Sequence, residues 1–266
     1  MRARFLAGLL CLGLSACSSG LFSFMEKPKV VEEPPESRTP APRDARTRAK
    51  AHTELGGLYM ENGNWAIAIE ELTIAISIDP DYAKAYSARG VALYYIRELA
   101  LADRDFQRAL GFEPNDPEIN NNYGWYLCQI GREKESIAYF QRAMRNPLYE
   151  TPEKAYLNAG ACYAKMGELD TAEGLVQQSL NIAPDNPQAA FQLAALNYRR
   201  GYYEAAKRQL EEVLRRTEPS AEVLWLMVRI EHRLGNRSAE ARHGSQLRRK
   251  FPLSPEAQEL LRGKLE

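Results

Sequence analysis

Between residues 48 and 251 the apolar positions return in paired runs separated by polar, turn-forming residues. Within each run they recur three and four residues apart, as one buried face of a helix requires. Small residues keep a common register. Gly56, Gly90 and Gly124 stand 34 residues apart, Gly160 follows 36 later, and Ala194 and Val228 continue at 34. With that column numbered 8, column 7 holds Leu55, Arg89, Tyr123, Ala159, Leu193 and Met227. Column 15 holds Gly63, Arg97, Gly131, Gly167, Gly201 and Gly235. Column 20 holds Ala68, Ala102, Ser136, Ala172, Ala206 and Glu240, and column 24 holds Leu72, Phe106, Phe140, Val176, Leu210 and Gly244. Pro80, Pro114 and Pro184 fall at column 32, with Pro147 and Pro219 one residue away.

This pattern predicts six helix pairs, starting near 49, 83, 117, 153, 187 and 221. Small residues at columns 8 and 20 let helix A and helix B of a pair cross closely. Glycine at column 15 takes the turn that ends helix A. Large apolar residues at columns 7 and 24 fill the layer between neighbours, and proline near column 32 stops helix B. The sixth unit departs from the pattern at Val228, Glu240 and Gly244, as a terminal cap with one face to cover should. Pro252-Leu253-Ser254-Pro255 then breaks the chain, and Glu256–Leu265 is predicted as a closing helix with Ser254 as its N-cap. The columns resemble the tetratricopeptide repeat. The resemblance implies an all-α, right-handed superhelical solenoid of six repeats over 48–251, closed by a capping segment at 252–266.

The first residues have another character. Arg2 and Arg4 precede an apolar run, Phe5 to Leu14, that is too short to span a bilayer and fits a secretory signal. It ends in Leu14-Ser15-Ala16-Cys17, which resembles the bacterial lipobox. That resemblance implies removal of residues 1–16 and acylation of Cys17, with Ser18 and Ser19 favouring the outer membrane. The alternative is an ordinary signal peptide followed by a chance cysteine. Residues 17–47 carry Pro28, Pro34, Pro35, Pro40 and Pro42 and no helical or strand period, which predicts a disordered, semi-stiff tether. Thirty such residues at about 3.1 Å each reach roughly 90 Å when extended.

Charge and cysteine content narrow the function. Lys plus Arg equals Asp plus Glu at 35 each, which argues against a general nucleic-acid binder. Cys11 leaves with the signal and Cys17 takes the lipid, so Cys128 and Cys162 remain for the folded body. No C-x-x-C pair is present, so zinc spacing is missing. Cys128 and Cys162 occupy neighbouring A helices, two columns out of register. They are a candidate disulfide, the alternative being two small buried residues. His52, His232 and His243 lie in different repeats: His52 falls on a packing column, and the other two read as solvated. Glu70-Glu71 and Glu211-Glu212 read as exposed helix B charge. No nucleophile can be paired with a base, so neither an enzyme nor a cofactor, metal or small-molecule substrate is expected.

Helix A lines the concave side of such a solenoid. Asn122, Asn158 and Gln192 share column 6, a polar ladder able to hold the backbone of an extended segment. The alternative is N-capping and interhelix bonding by Asn120 and Asn121. One of Trp125 and Tyr126 must face the core and the other the groove. Trp125, Gln129 and Lys165 complete the candidate partner-binding set. A two-residue insertion, Asn146-Pro147-Leu148-Tyr149-Glu150-Thr151-Pro152, replaces a plain turn and is stiffened by its two prolines; a tolerated loop insertion is the alternative.

The segments Asn121-Asn122-Tyr123-Gly124-Trp125-Tyr126-Leu127-Cys128, 146–152 and Asn158-Ala159-Gly160-Ala161-Cys162, together with the anchor and the repeat number, resemble the PilF/PilW family of type IV pilus biogenesis lipoproteins. That resemblance implies a non-enzymatic, monomeric outer-membrane scaffold. Its partner would be the secretin, the ring through which the pilus passes, which it helps to localise and multimerise. A periplasmic adaptor for cell-wall hydrolases or β-barrel assembly factors shares the same scaffold and anchor. If Cys17 carries the anchor, a Cys17→Ser variant should leave the outer-membrane fraction while its repeat region keeps the circular dichroism of the wild type.

Overall fold

The computed structural model describes residues 42–263 and Leu265. The signal segment, Cys17 and nearly all of the tether lie outside the described residues. Within them are thirteen helices and no strand. They pair as α1 (Pro42–Glu61) with α2 (Trp65–Ile78), α3 (Ala83–Tyr95) with α4 (Leu99–Phe112), and α5 (Pro117–Gln129) with α6 (Glu133–Arg145). The series continues with α7 (Pro152–Lys165) and α8 (Leu169–Ile182), α9 (Pro187–Arg199) and α10 (Tyr203–Arg216), and α11 (Ala221–Arg233) and α12 (Arg237–Lys250). A short α13 (Pro255–Leu261) closes the stack, with the Ser254 hydroxyl accepting from Ala257 N–H at 3.1 Å. Each odd helix packs on its own even helix and also on the next odd helix, whereas among the described residues no two even helices come together. The odd helices therefore form the tighter, inner wall of a curved solenoid.

The pairing rests on column 8. A methyl group on Gly56 would lie 2.8 Å from the Leu72 side chain, on Gly90 or Gly124 3.0 Å from the rings of Phe106 or Phe140, and on Gly160 2.7 Å from Val176. The glycine thus sits directly under the large residue of column 24, so close that a Cβ there would force the facing side chain to shift. In the sixth repeat the pair is inverted. Val228 is the large member and Gly244 the small one, and Leu260 of α13 comes within 3.2 Å of where a Gly244 methyl would stand. The terminal repeat is therefore a complete, compensated hairpin despite its divergent columns.

Column 15 is left-handed in every repeat. The glycines have φ between +71° and +85°, and Arg97 alone takes φ +70° without being glycine. For a residue with a Cβ that conformation costs about 1–2 kcal/mol.

The structure differs from the sequence expectations at four places. The closing helix α13 runs from Pro255 only to Leu261, not to Leu265, and Gly263 turns left-handed just beyond it at φ +68°. Helix α1 starts at Pro42 rather than near 48. Proline suits a first helical position. One turn on, Arg46 pairs with Asp79 at 2.5 Å and lies over the Tyr82 ring at 5.0 Å, so tertiary contacts hold this turn where periodicity gave no signal. His52 does not simply pack: its Nδ1 meets Glu71 Oε2 at 2.7 Å, which also makes Glu71 half-buried rather than solvated. His243 is buried, not solvated, and desolvation holds its pKa below the usual imidazole value, with Arg242 acting in the same direction. Nearby, the buried carboxylate of Glu231 pairs with Lys207 at 2.9 Å.

Two substitutions test this packing. Arg97→Gly should raise unfolding stability by about 1 kcal/mol, because the strained turn is relieved at an exposed site. Gly160→Ala should lower it by roughly 1–3 kcal/mol through overpacking against Val176. Urea denaturation of the two variants reads both signs.

Candidate functional site

The inner wall of the first three repeats carries a cavity of about 440 Å³ among α1, α3 and α5. Lys50, Glu54, Met60, Ser87, Val91 and Asn122 are among its lining, an apolar strip with polar and charged edges. A chain of amides runs from it along the wall. Asn122 Nδ2 donates to Ser87 Oγ at 3.2 Å, Asn121 Nδ2 reaches Asn122 Oδ1 at 3.5 Å, and Asn158 Nδ2 donates to Asn121 Oδ1 at 3.0 Å. The chain thereby ties α3, α5 and α7 together. Asn122 and Asn158 do share the wall, but each already spends a donor on a neighbouring helix, and only their remaining capacity faces outward. Asn120 is fully buried and donates to the carbonyls of Pro114 and Asp116 at 2.9 and 2.8 Å, but neither it nor Asn121 caps the helix: the N-cap of α5 is Asp116, whose side chain accepts from Ile119 N–H at 2.9 Å. Gln192, two repeats from Asn122 on α9, lies off this network, and its Oε1 is buried without a hydrogen-bond partner.

Trp125 and Tyr126 divide as their spacing demands. Tyr126 is in the core and donates to the Leu99 carbonyl at 2.8 Å. Trp125 is half-buried and meets Tyr94 edge-on at 4.8 Å and Tyr95 at 5.8 Å. Tyr95 in turn stacks on Trp65 at 4.0 Å. The resulting aromatic stripe crosses the first three repeats. The sequence reading missed Trp65 and Tyr95, although Tyr95 shares column 13 with Gln129 and Lys165.

Gln129 and Lys165 are brought together: Lys165 Nζ donates to Gln129 Oε1 at 3.1 Å and to the Cys128 carbonyl at 3.3 Å. Arg199, one repeat on in the same column, repeats the device by donating to the Ala164 carbonyl at 2.6 Å. Each cation thus caps the carbonyl end of the preceding inner helix, where the helix dipole favours it.

Behind these groups Cys128 and Cys162 are joined by a disulfide, with their Cα atoms 5.9 Å apart. The bond is buried against Phe140 and Ala159 and links α5 to α7, as the Asn121–Asn158 hydrogen bond does nearer the N-termini of the same two helices. Among the described residues no cluster of three or more His, Cys, Asp or Glu side chains is arranged to hold a metal.

Helix pairs with a glycine crossing, a left-handed turn and a continuous inner wall define a tetratricopeptide-repeat scaffold. Family models of the tetratricopeptide repeat match residues 50–95, 88–150 and 153–186. The chain is 29% identical over 209 residues to the type IV pilus assembly protein PilF of Pseudomonas aeruginosa, spanning 79% of this chain and 83% of that protein. Among solved structures, PilW, described as a widely conserved type IV pilus biogenesis factor, is 34% identical with a TM-score of 0.70, and the match covers 80% of this chain and 98% of PilW. The Pseudomonas aeruginosa PilF structure is 27% identical with a TM-score of 0.66, covering 82% of this chain and 99% of that one. The chain belongs to the PilF/PilW family of tetratricopeptide-repeat proteins.

Protein isolated from an oxidising compartment should show no free thiol at Cys128 or Cys162 by intact mass before reduction. Reducing the bond, or a Cys128→Ala, Cys162→Ala double variant, should cost roughly 2–4 kcal/mol of stability. Two free thiols in such material would count against the bridge.

Proposed function

We propose that this protein is a lipid-anchored scaffold of type IV pilus biogenesis that binds the secretin and promotes its outer-membrane localisation and multimerisation. The observation that carries the reading is near full-length similarity to PilF and PilW, both named for the type IV pilus. The inner wall supports it. A cavity with polar and charged edges, and a row of amides and aromatic rings on the neighbouring repeats, suit an extended protein segment better than a compact ligand. Among the described residues no helix is long and apolar enough to cross a membrane. The anchor in this reading is Cys17, from the lipobox-like Leu14-Ser15-Ala16-Cys17. Acylated there, a monomeric repeat body tethered by residues 17–41 would work at the periplasmic face of the outer membrane. Confining scaffold and secretin to one surface raises their effective concentration without any new contact. The protein acts by binding alone.

Deleting the gene should reduce heat- and detergent-resistant secretin multimers and abolish twitching; unchanged multimers would overturn the reading. Groove use has its own test. An Asn122→Ala, Asn158→Ala variant leaves Ser87 and Asn121 without partners and should lose about 1–3 kcal/mol of stability. It should remain folded yet bind secretin more weakly. Wild-type secretin binding in this variant removes the amide chain from the mechanism.

A further inference from the structure

The inner wall changes sign along its length. Columns 5, 6, 9, 12 and 13 build it, because the contacts from one inner helix to the next run between them. Ser87 meets Asn122, Asn121 meets Asn158, Lys165 meets the Cys128 carbonyl, and Arg229 lies over the Tyr198 ring. In α1, α3 and α5 the acidic and basic residues of these columns are Glu54 and Glu61, with no lysine or arginine. In α7, α9 and α11 they are Lys165, Arg199, Arg229 and Arg233, with no carboxylate. A chain whose cations and carboxylates balance at 35 each has separated them on one surface.

The wall cations also differ from others in the fold by their partners. Arg89 pairs with Asp105 at 2.6 Å, Lys207 with Glu231 at 2.9 Å, and Arg200, beside Arg199 in sequence, with Glu173 at 2.6 Å. On the wall, Lys165 donates to the Cys128 carbonyl and the Gln129 amide, and Arg199 to the Ala164 carbonyl. The Arg229 guanidinium stands 4.7 Å from the centroid of the Tyr198 ring. Every one of these partners is neutral, and among the described residues no carboxylate pairs with Lys165, Arg199 or Arg229. Capping a neighbouring helix accounts for one bond from each of Lys165 and Arg199. It leaves their charge uncancelled and further N–H groups to donate. Phe191 and Trp225, both half-buried, occupy column 5 of the same helices and supply apolar footing.

We propose that the wall of repeats 4 to 6 docks an acidic stretch of an extended partner segment. Its carboxylates would pair with Lys165, Arg199 and Arg229 while apolar neighbours rest on Phe191 and Trp225. A concave wall admits a chain and not a flat lipid surface. The change of sign along the wall also sets the segment's direction, with its acidic end over α7 to α11 and its neutral or basic end towards Glu54 and Glu61. The inference rests on the secretin reading for the partner's identity and adds the chemistry of the segment that is held.

The test titrates the full-length mature protein with three probes: purified secretin monomer, a labelled deca-glutamate peptide and a labelled deca-lysine peptide. The wild type should bind deca-glutamate roughly tenfold more tightly than deca-lysine, and added salt should weaken both deca-glutamate and secretin binding. A Lys165→Gln, Arg199→Gln variant should bind both about tenfold more weakly and lose most of the salt dependence. Lys165→Arg with Arg199→Lys, which keeps the charge, should restore binding and so separates charge from capping. Arg208→Gln removes an exposed cation from the outer helix α10 and should change nothing. Undiminished binding of deca-glutamate by the Gln variant, equal affinity for the two peptides, or an equal loss in Arg208→Gln would overturn the docking surface. If deca-glutamate binds as expected and secretin does not bind at all, the secretin reading fails and the acidic docking surface stands.

Discussion

One contact geometry underlies the whole repeat body: the backbone of helix A lies against the side chain that helix B presents from column 24. A methyl group at Gly56 or Gly160 would collide with that side chain, and one at Gly90 or Gly124 would press on its ring at 3.0 Å. That approach fixes the angle of each hairpin. The left-handed residue at column 15 then returns the chain at the height the crossing needs. With the hairpin fixed, the inner helices touch in series and the outer ones do not, which curves the stack and creates a wall. The sixth repeat shows that the constraint concerns volume rather than identity. Val228 over Gly244 satisfies it with the large and small partners exchanged, and α13 supplies Leu260 to cover the exposed small residue.

On that wall, polar groups do two kinds of work. Some are structural in the plain sense of joining neighbouring inner helices. The Ser87–Asn122–Asn121–Asn158 chain, the Lys165 and Arg199 caps and the Cys128–Cys162 bond all run from one repeat to the next. A solenoid is held by nearest-neighbour terms, so such links stiffen the middle repeats against relative motion. At the cavity only the Ser87–Asn122 bond of this set is present, and it holds the α3 and α5 walls together, which limits the ordering cost of binding on that side.

The periodic features were legible in the sequence because a packing column repeats its physical demand every 34 residues. Gly63, Arg97 and their equivalents announced the turn, and Ser254 announced the last cap. Features created by one-off tertiary partners were not legible. Helix α1 extends back to Pro42 because Arg46 finds Asp79 and Tyr82, which no local period records. His52 looked like a packing residue until Glu71 was placed opposite it, and His243 looked solvated because its arginine-rich neighbours conceal a buried face. At the site, the sequence placed Asn122, Trp125, Gln129, Asn158 and Lys165 on the right helices. Which amide bonds which, and the alignment of Trp65 with Tyr95, depend on the relative shift of successive hairpins; the two-residue insertion bears on that shift only between α6 and α7, where Asn158 comes to meet Asn121.

Leaving a buried polar group unpaired costs about 1–3 kcal/mol. The wall has largely avoided that cost by pairing its amides internally: Ser87, Asn122, Asn121 and Asn158 satisfy one another from α3 to α7. Among these amide columns only Gln192 breaks the rule, with its Oε1 buried and unpaired on α9. An extended segment lying on the amide chain therefore gains mainly from apolar contact and from the acceptors the amides leave spare, and it can gain them without first breaking the bonds that join the inner helices.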